Sequence, residues 1–391
     1  MVRPIDPFRL RSERHDRLQT AMRKHDVAAC LLTHPANVRY ATGTAIMTVY
    51  GLGYFFRCAL AFAEGPPILF EHPNSMHLTS GALADVRPMV WDWEFSGPDA
   101  IPWAEQWALE IRDALRDRGV QDQPIALDRL TTPGYLGLQE AGLELIDAGP
   151  ALLDARMVKT PEEVHAFRWN AGIIEEMLAG MAAEIRPGVL EQELLAVLTD
   201  RLLRRGGEFQ VTRGVESGPN TNPWRSEASD RALEDGDLVW VDTDANGVEG
   251  YFFCVSRTFL CGAKAPTPQQ RDAYRAAYDY VTEASDLLRP GTSFWEFAEK
   301  APGFPDRYRA QRYEVLGHSV GLEDEGPSFP YPDEERPSVD YVLEENMVMV
   351  LECYCGEVGG RDAVKLGDQF LVTKDGPELL VRFPYEDGLL T

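Results

Sequence analysis

The sequence predicts an α/β domain over residues 1–156 followed by an α+β domain over residues 157–391. Three observations carry that reading. At 391 residues the chain is longer than one hydrophobic core usually serves. Strand and helix patterns alternate up to about residue 150, the order of an α/β domain. Beyond a strong helix start at Thr160, helices come first and hairpin-like strands later, which suits an α+β half better than a nucleotide-binding parallel sheet.

In the first domain, Leu10, Leu18 and Met22 recur at near-helical spacing and predict a helix from Leu10 to His25. Ala28 to Leu32 is a short apolar strand. Ala59 to Phe62 and Ile68 to Phe70 read as two strands around a Gly-Pro turn, and Trp103 to Leu115 as a second helix. Ile125 to Leu127, a helix after Thr132, and Leu143 to Ile146 then repeat the strand, helix, strand order.

The second domain opens at Lys159 to Glu163. Thr160 is a good N-cap, Pro161 suits the first helical position, and Glu162 and Glu163 complement the helix dipole. This helix should run to Ile185, where Pro187-Gly188 stops it, and a second from Glu191 to Arg205 ends at Gly206-Gly207. Strand-like runs follow at Leu238 to Val241, Tyr251 to Leu260, Met347 to Cys355 and Val364 to Val372, with a helix between at Gln269 to Leu288.

Composition excludes several functions. With 44% hydrophobic and 10% aromatic residues the chain can build packed cores, so extensive disorder is excluded. A net charge of −25 repels phosphate backbones and anionic lipids. Neither nucleic acid nor a membrane is therefore an expected partner, whereas a cationic or zwitterionic small molecule is compatible. No apolar run is long enough to span a bilayer and the N-terminus lacks a secretory hydrophobic segment, so a cytoplasmic location is expected. The six cysteines, at 30, 58, 254, 261, 353 and 355, have neither disulfide-scaffold nor zinc-ribbon spacing and read as free thiols. Gly51-Leu52-Gly53 and Gly359-Gly360 lack the remaining glycines of a phosphate-cradling loop, and no Gly-x-Ser-x-Gly elbow is present.

The residues that can carry chemistry lie between 216 and 369. Asp242 and Asp244 end the apolar run Val239-Trp240-Val241, and residues two apart in a strand face the same side, so their carboxylates converge. They read equally well as strand-end acids beside the turn Ala245-Asn246-Gly247. His318 lies among small residues in Gly317-His318-Ser319-Val320-Gly321, as a site histidine or a hydrogen-bonded loop histidine. Glu352 interrupts the buried run Met347 to Leu351, where a charge must be paired, protonated or coordinated. Two Asp, one His and one Glu make a ligand inventory for a divalent metal.

Glu216 to Trp224, Val241-Asp242-Thr243-Asp244, Ser256-Arg257-Thr258, Gly317 to Leu322 and Val364 to Gln369 resemble the pita-bread family of methionine aminopeptidase, prolidase and creatinase. Within it they look most like the dimethylsulfoniopropionate lyases, and the likeness extends into the first domain through Asn37 to Thr42. The resemblance implies a pita-bread catalytic domain behind a creatinase-like N-terminal domain, and a homodimer. It places Asp242, Asp244, His318 and Glu352 on the family's metal-ligand positions. Cys254 stands where a third Asp is expected and Gly367 where a final Glu is expected, the two carboxylates that bridge a metal pair. No metal cofactor is therefore the leading expectation, as in creatinase. The alternative is one divalent ion, iron or zinc, held by a Cys254 thiolate with His318, Glu352 and one Asp.

Trp224 follows Pro223 where peptidases of the family carry a substrate-binding His and the lyases a Trp. Tyr313 and Tyr50 match lyase aromatics, so the three suggest an aromatic box for an onium group. Asp324 matches the lyases' proposed base, with His318, Glu352 and Tyr313 also assigned to catalysis and Arg257 to substrate binding, as a cation for a developing enolate. The resulting expectation is a lyase that cleaves a C–S or C–N bond of a small onium or zwitterionic solute by base-assisted β-elimination. Its rivals are a creatinase-like C–N hydrolase in which His318 and Glu352 activate water, an Xaa-Pro-type metallopeptidase, and a non-catalytic binder. The loop setting of Glu323-Asp324-Glu325 also suits an ordinary acidic turn.

Overall fold

The computed structural model describes residues 3–44, 57–79, 83–93, 95–225 and 227–391. The chain divides between Arg156 and Met157 into two compact units. The N-terminal stretch ending at Ile5 belongs with the second unit, where the Arg3 guanidinium pairs with buried Glu162.

The first unit is built on a six-stranded mixed sheet. Its strands are β1 (Ala29–Leu32), β2 (Cys58–Phe62), β3 (Ile68–Glu71), β4 (Val86–Pro88), β5 (Ile125–Leu127) and β6 (Leu145–Asp147), in the order β4-β3-β2-β1-β5-β6. The helix Ala100–Asp117 lays Trp107, Ala108, Ile111 and Leu115 into the core formed with Leu31, Leu60 and Phe70. Val86–Pro88 carries no buried apolar face, so hydrophobic periodicity gives no sign of it.

The second unit begins with the helix Pro161–Ala182, whose Thr160 and Glu163 form a reciprocal capping box, followed by Glu191–Arg204. Its strands are β7 (Phe209–Gln210), β8 (Val215–Ser217), β9 (Leu238–Asp242), β10 (Ala245–Asn246), β11 (Phe252–Phe253), β12 (Ser256–Leu260), β13 (Gly317–Val320), β14 (Asp324–Phe329), β15 (Val348–Gly356), β16 (Ala363–Thr373) and β17 (Gly376–Leu379). The large sheet runs β14-β13-β15-β16-β12-β9-β8, with β17 also paired to β16. The helix Pro268–Ser285 covers one face, packing Ala273, Ala277, Tyr280 and Ala284 in one core with Met349, Leu351 and Cys353 of β15 and Val364 and Leu366 of β16. Side chains alternate along a strand, so Glu352 and Tyr354 of β15 and Lys365, Gly367 and Gln369 of β16 project from the opposite face. That face carries the site.

Two expectations are corrected. The run Tyr251 to Leu260 is two strands, broken at Cys254-Val255: β11 pairs with β10 and β12 with β9. His318 lies in a strand, and Asp324 begins one, because β13 is hydrogen-bonded between β15 and β14. A Cβ at Gly317 would lie 2.3 Å from the Val350 carbonyl oxygen, so glycine permits this approach where no apolar alternation marks a strand.

Candidate active site

The site is a row across the large sheet. Ser256 is in register with both Asp242 and Gly367, and Gly367 with Glu352, so β9, β12, β16 and β15 present these positions side by side. His318 on β13 is in register with Val350, two residues from Glu352, on the same face. Asp244 follows β9 with φ of +32°, and its Oδ2 accepts from the Thr212 hydroxyl at 2.7 Å. Cys254, in the break between β11 and β12, points its Sγ 3.6 Å from Asp242 Oδ1 and 3.7 Å from Glu352 Oε2. Asp242, Asp244, Cys254, His318 and Glu352, all buried, are thus brought together.

Lys365 is the residue that sequence reasoning left unassigned. Its side chain is fully buried, its ammonium donates to Glu352 Oε2, and it lies 3.2 Å from Asp242 Oδ2. Burial alone would depress its pKa, but Glu352 and Asp242 outweigh that and hold it well above the usual lysine range. Glu352 receives a second cation on its other oxygen, His318 Nε2 at 3.0 Å from Oε1. Burial pushes Glu352 up, Lys365 and His318 pull it down further, and it settles at about 2.

His318 Nδ1 lies 3.0 Å from the Ser319 carbonyl oxygen and 3.5 Å from Asp324 Oδ1. Both ring nitrogens therefore face oxygen acceptors, the arrangement of a doubly protonated imidazolium. Burial works against that charge, yet the Glu352 hydrogen bond and carboxylate raise the pKa to about 9. Asp324 is partly desolvated, which lifts its carboxyl to about 6 against the opposing His318 charge, while its side chain keeps 62% of its surface open. Burial, and then the surrounding carboxylates, hold the Cys254 thiol well above its usual range, so without a metal ion it favours the neutral S–H. Desolvation and the adjacent Asp242 also raise Asp244.

Trp224 and Tyr313 meet edge to face with centroids 5.6 Å apart. The Lys365 ammonium stands 3.6 Å from the Tyr313 centroid and 5.8 Å from that of Trp224, so one face of the expected onium box is taken by an internal cation. Trp224, 42% exposed, keeps open surface. Tyr50, the third aromatic of that box, lies outside the described residues.

Arg257 is corrected. It follows Ser256 on β12 and so faces the other side of the sheet, where its guanidinium donates to Asp368 Oδ1 at 2.7 Å and to the Phe383 carbonyl oxygen at 2.8 Å. It lies over the Tyr385 ring, fully buried, and donates through Nη1 to the backbone carbonyl oxygens of Ser256 and Gly367, both at 2.9 Å.

The comparisons agree with this architecture. Residues 166–374, more than half of the chain, match metallopeptidase family M24. The chain belongs to that family. Residues 14–158 match the creatinase/prolidase N-terminal domain, so the fold is a pita-bread domain preceded by a creatinase-type one. Across 98% of its length the chain is 31% identical to a dimethylsulfoniopropionate lyase of Roseovarius nubinhibens, covering 88% of that protein. A dimethylsulfoniopropionate lyase of Roseobacter denitrificans is 30% identical over 97% of this chain and 87% of its own. A prolidase structure from Pyrococcus horikoshii superposes with a TM-score of 0.75 at 22% identity, covering 96% of this chain and 99% of that one.

M24 enzymes usually use divalent metals, and among the described residues two groups could hold an ion: Cys254 with His318 and Glu352, and Asp242 and Asp244 with Cys254. A metal pair does not fit. Gly367 offers no donor where a bridging carboxylate would stand, and a Cβ there would press on Glu352 Cβ at 3.0 Å and Ser256 Oγ at 3.2 Å. Gln369 Oε1 accepts from the Cys254 amide, and the buried Nε2 of Gln369 has no hydrogen-bond partner among the described residues. A single ion would have to displace Lys365 from Glu352 or Asp242, since one of these two carboxylates belongs to each group.

Proposed function

We propose that this M24 member is a lyase acting on a small onium-bearing carboxylate, of the kind named for its dimethylsulfoniopropionate lyase relatives, and that the elimination runs on the chain's own groups. The observation that carries this reading is Asp324: a partly exposed carboxylate, its basicity raised to about 6, 3.5 Å from the His318 imidazolium. A base of that strength is largely ionised at neutral pH yet basic enough to take a proton. Asp324 removes the proton on the carbon next to the substrate carboxylate. The C–H electron pair forms the carbon–carbon double bond, and the C–S pair departs with sulfur, giving dimethyl sulfide and acrylate from dimethylsulfoniopropionate. His318 balances the charge that moves onto and off Asp324, and the open face of Trp224 receives the onium group.

The hydrolase reading is disfavoured because both His318 nitrogens face acceptors, so the ring offers no lone pair to a water, and fully buried Glu352 has a hydrogen-bond donor on each oxygen. Against a peptidase stand Cys254, Gly367 and Trp224. The test is to incubate the full-length protein separately with dimethylsulfoniopropionate and with an Xaa-Pro dipeptide plus manganese. Acrylate formation without dipeptide cleavage is expected, and the reverse pattern overturns the reading.

A further inference from the structure

We infer that Lys365 is the resident cation of this site, an ammonium that, with His318 on the second Glu352 oxygen, occupies its carboxylates and so excludes a divalent ion. Glu352 is fully buried between them, one oxygen on each. Asp242 is shared between the Lys365 ammonium at 3.2 Å and the Cys254 thiol at 3.6 Å. The ammonium is held on its apolar side by the face of Tyr313, which fixes it at the carboxylates rather than leaving it a flexible surface group. An unpaired carboxylate at Glu352 would be costly to bury, and the Lys365 ammonium on Oε2 offsets that cost.

An ion binding at Asp242 or Glu352 would sit within a few ångströms of the ammonium, and that repulsion acts in a poorly screened interior. The metal-binding capacity of the pocket is thus controlled by one side chain two residues from Gly367. Removing the ammonium should turn a site that rejects divalent ions into one that accepts them. This holds whichever reaction the protein performs, so failure of the lyase assay would leave it standing.

The experiment is calorimetric titration of zinc and of manganese into chelator-treated, dialysed full-length protein, as wild type, Lys365→Met and Lys365→Arg. Lys365→Met should bind at least about 100-fold more tightly than wild type, while Lys365→Arg, which keeps the charge, should bind no better than wild type. Equal affinity of wild type and Lys365→Met overturns the inference. If Lys365→Met does not fold, the melting temperature of wild type decides: no shift between chelator and excess zinc or manganese supports it, and a rise of several degrees overturns it.

Discussion

Lys365 and Glu352 are diagonal partners across β15 and β16. Register sets Glu352 opposite Gly367 and Lys365 opposite Tyr354, yet the ammonium reaches past the bare glycine to donate to Glu352 Oε2. The glycine that forfeits a carboxylate ligand is thus also what lets the lysine cross to the acid.

Lys365→Met should therefore be strongly destabilising. Breaking one side of a buried ion pair costs about 3–5 kcal/mol, because the remaining charge is left without compensation. Urea unfolding of the chelator-treated protein should show that loss, and the double variant Lys365→Met/Glu352→Gln should lose less than the two single variants added together. Strict additivity would mean that the two groups do not interact.

Asp324→Asn should lower kcat by about 10²–10⁴-fold while leaving substrate affinity near that of wild type. With the folded-state carboxyl at about 6, the basic form grows as pH rises through that value, so kcat/KM of wild type should climb between about pH 5 and 7. A flat profile across that range would remove Asp324 as the base.

The His318 imidazolium links stability to alkaline pH. Its pKa is raised from 6.5 to about 9 on folding, so its contribution is complete below 6.5 and is lost as pH rises from there through 9. Melting temperature should fall over that window. Glu352→Gln removes the carboxylate that holds the charge and should flatten the decline; an unchanged decline would place its origin elsewhere.

Trp224→Ala tests the onium face. A cation over an indole contributes about 0.5–2 kcal/mol, so affinity for dimethylsulfoniopropionate should weaken by roughly 2- to 30-fold. The ring is 42% exposed, so the melting temperature should change little. Affinity equal to wild type would assign the onium group to other residues.

Much of this site is legible from residue patterns because it depends on anomalies within regular elements. Glu352 stands out as a charge in an apolar strand, Asp242 and Asp244 as spaced acids at a strand end, and both enter the cluster. Lys365 carries the same anomaly, a charge between Val364 and Leu366, but a lysine alone in a strand does not reveal which acids it meets until the register of β15 and β16 is known. Arg257 shows the opposite failure. Its neighbours on β12 belong to the site, and the one-residue offset from Ser256 sends its side chain through the other face of the sheet to Asp368. His318 reads as a loop residue because its strand is made of small residues and is sustained by its neighbours rather than by its own hydrophobicity.

The most direct measurement is headspace quantification of dimethyl sulfide released from dimethylsulfoniopropionate by chelator-treated wild-type protein. Release in step with acrylate, at least about 100-fold slower in Asp324→Asn and unaffected by the chelator, is the predicted result. No dimethyl sulfide from a folded protein, or release that appears only when a divalent metal is added back, would contradict an elimination run by Asp324 in a site whose cations are Lys365 and His318.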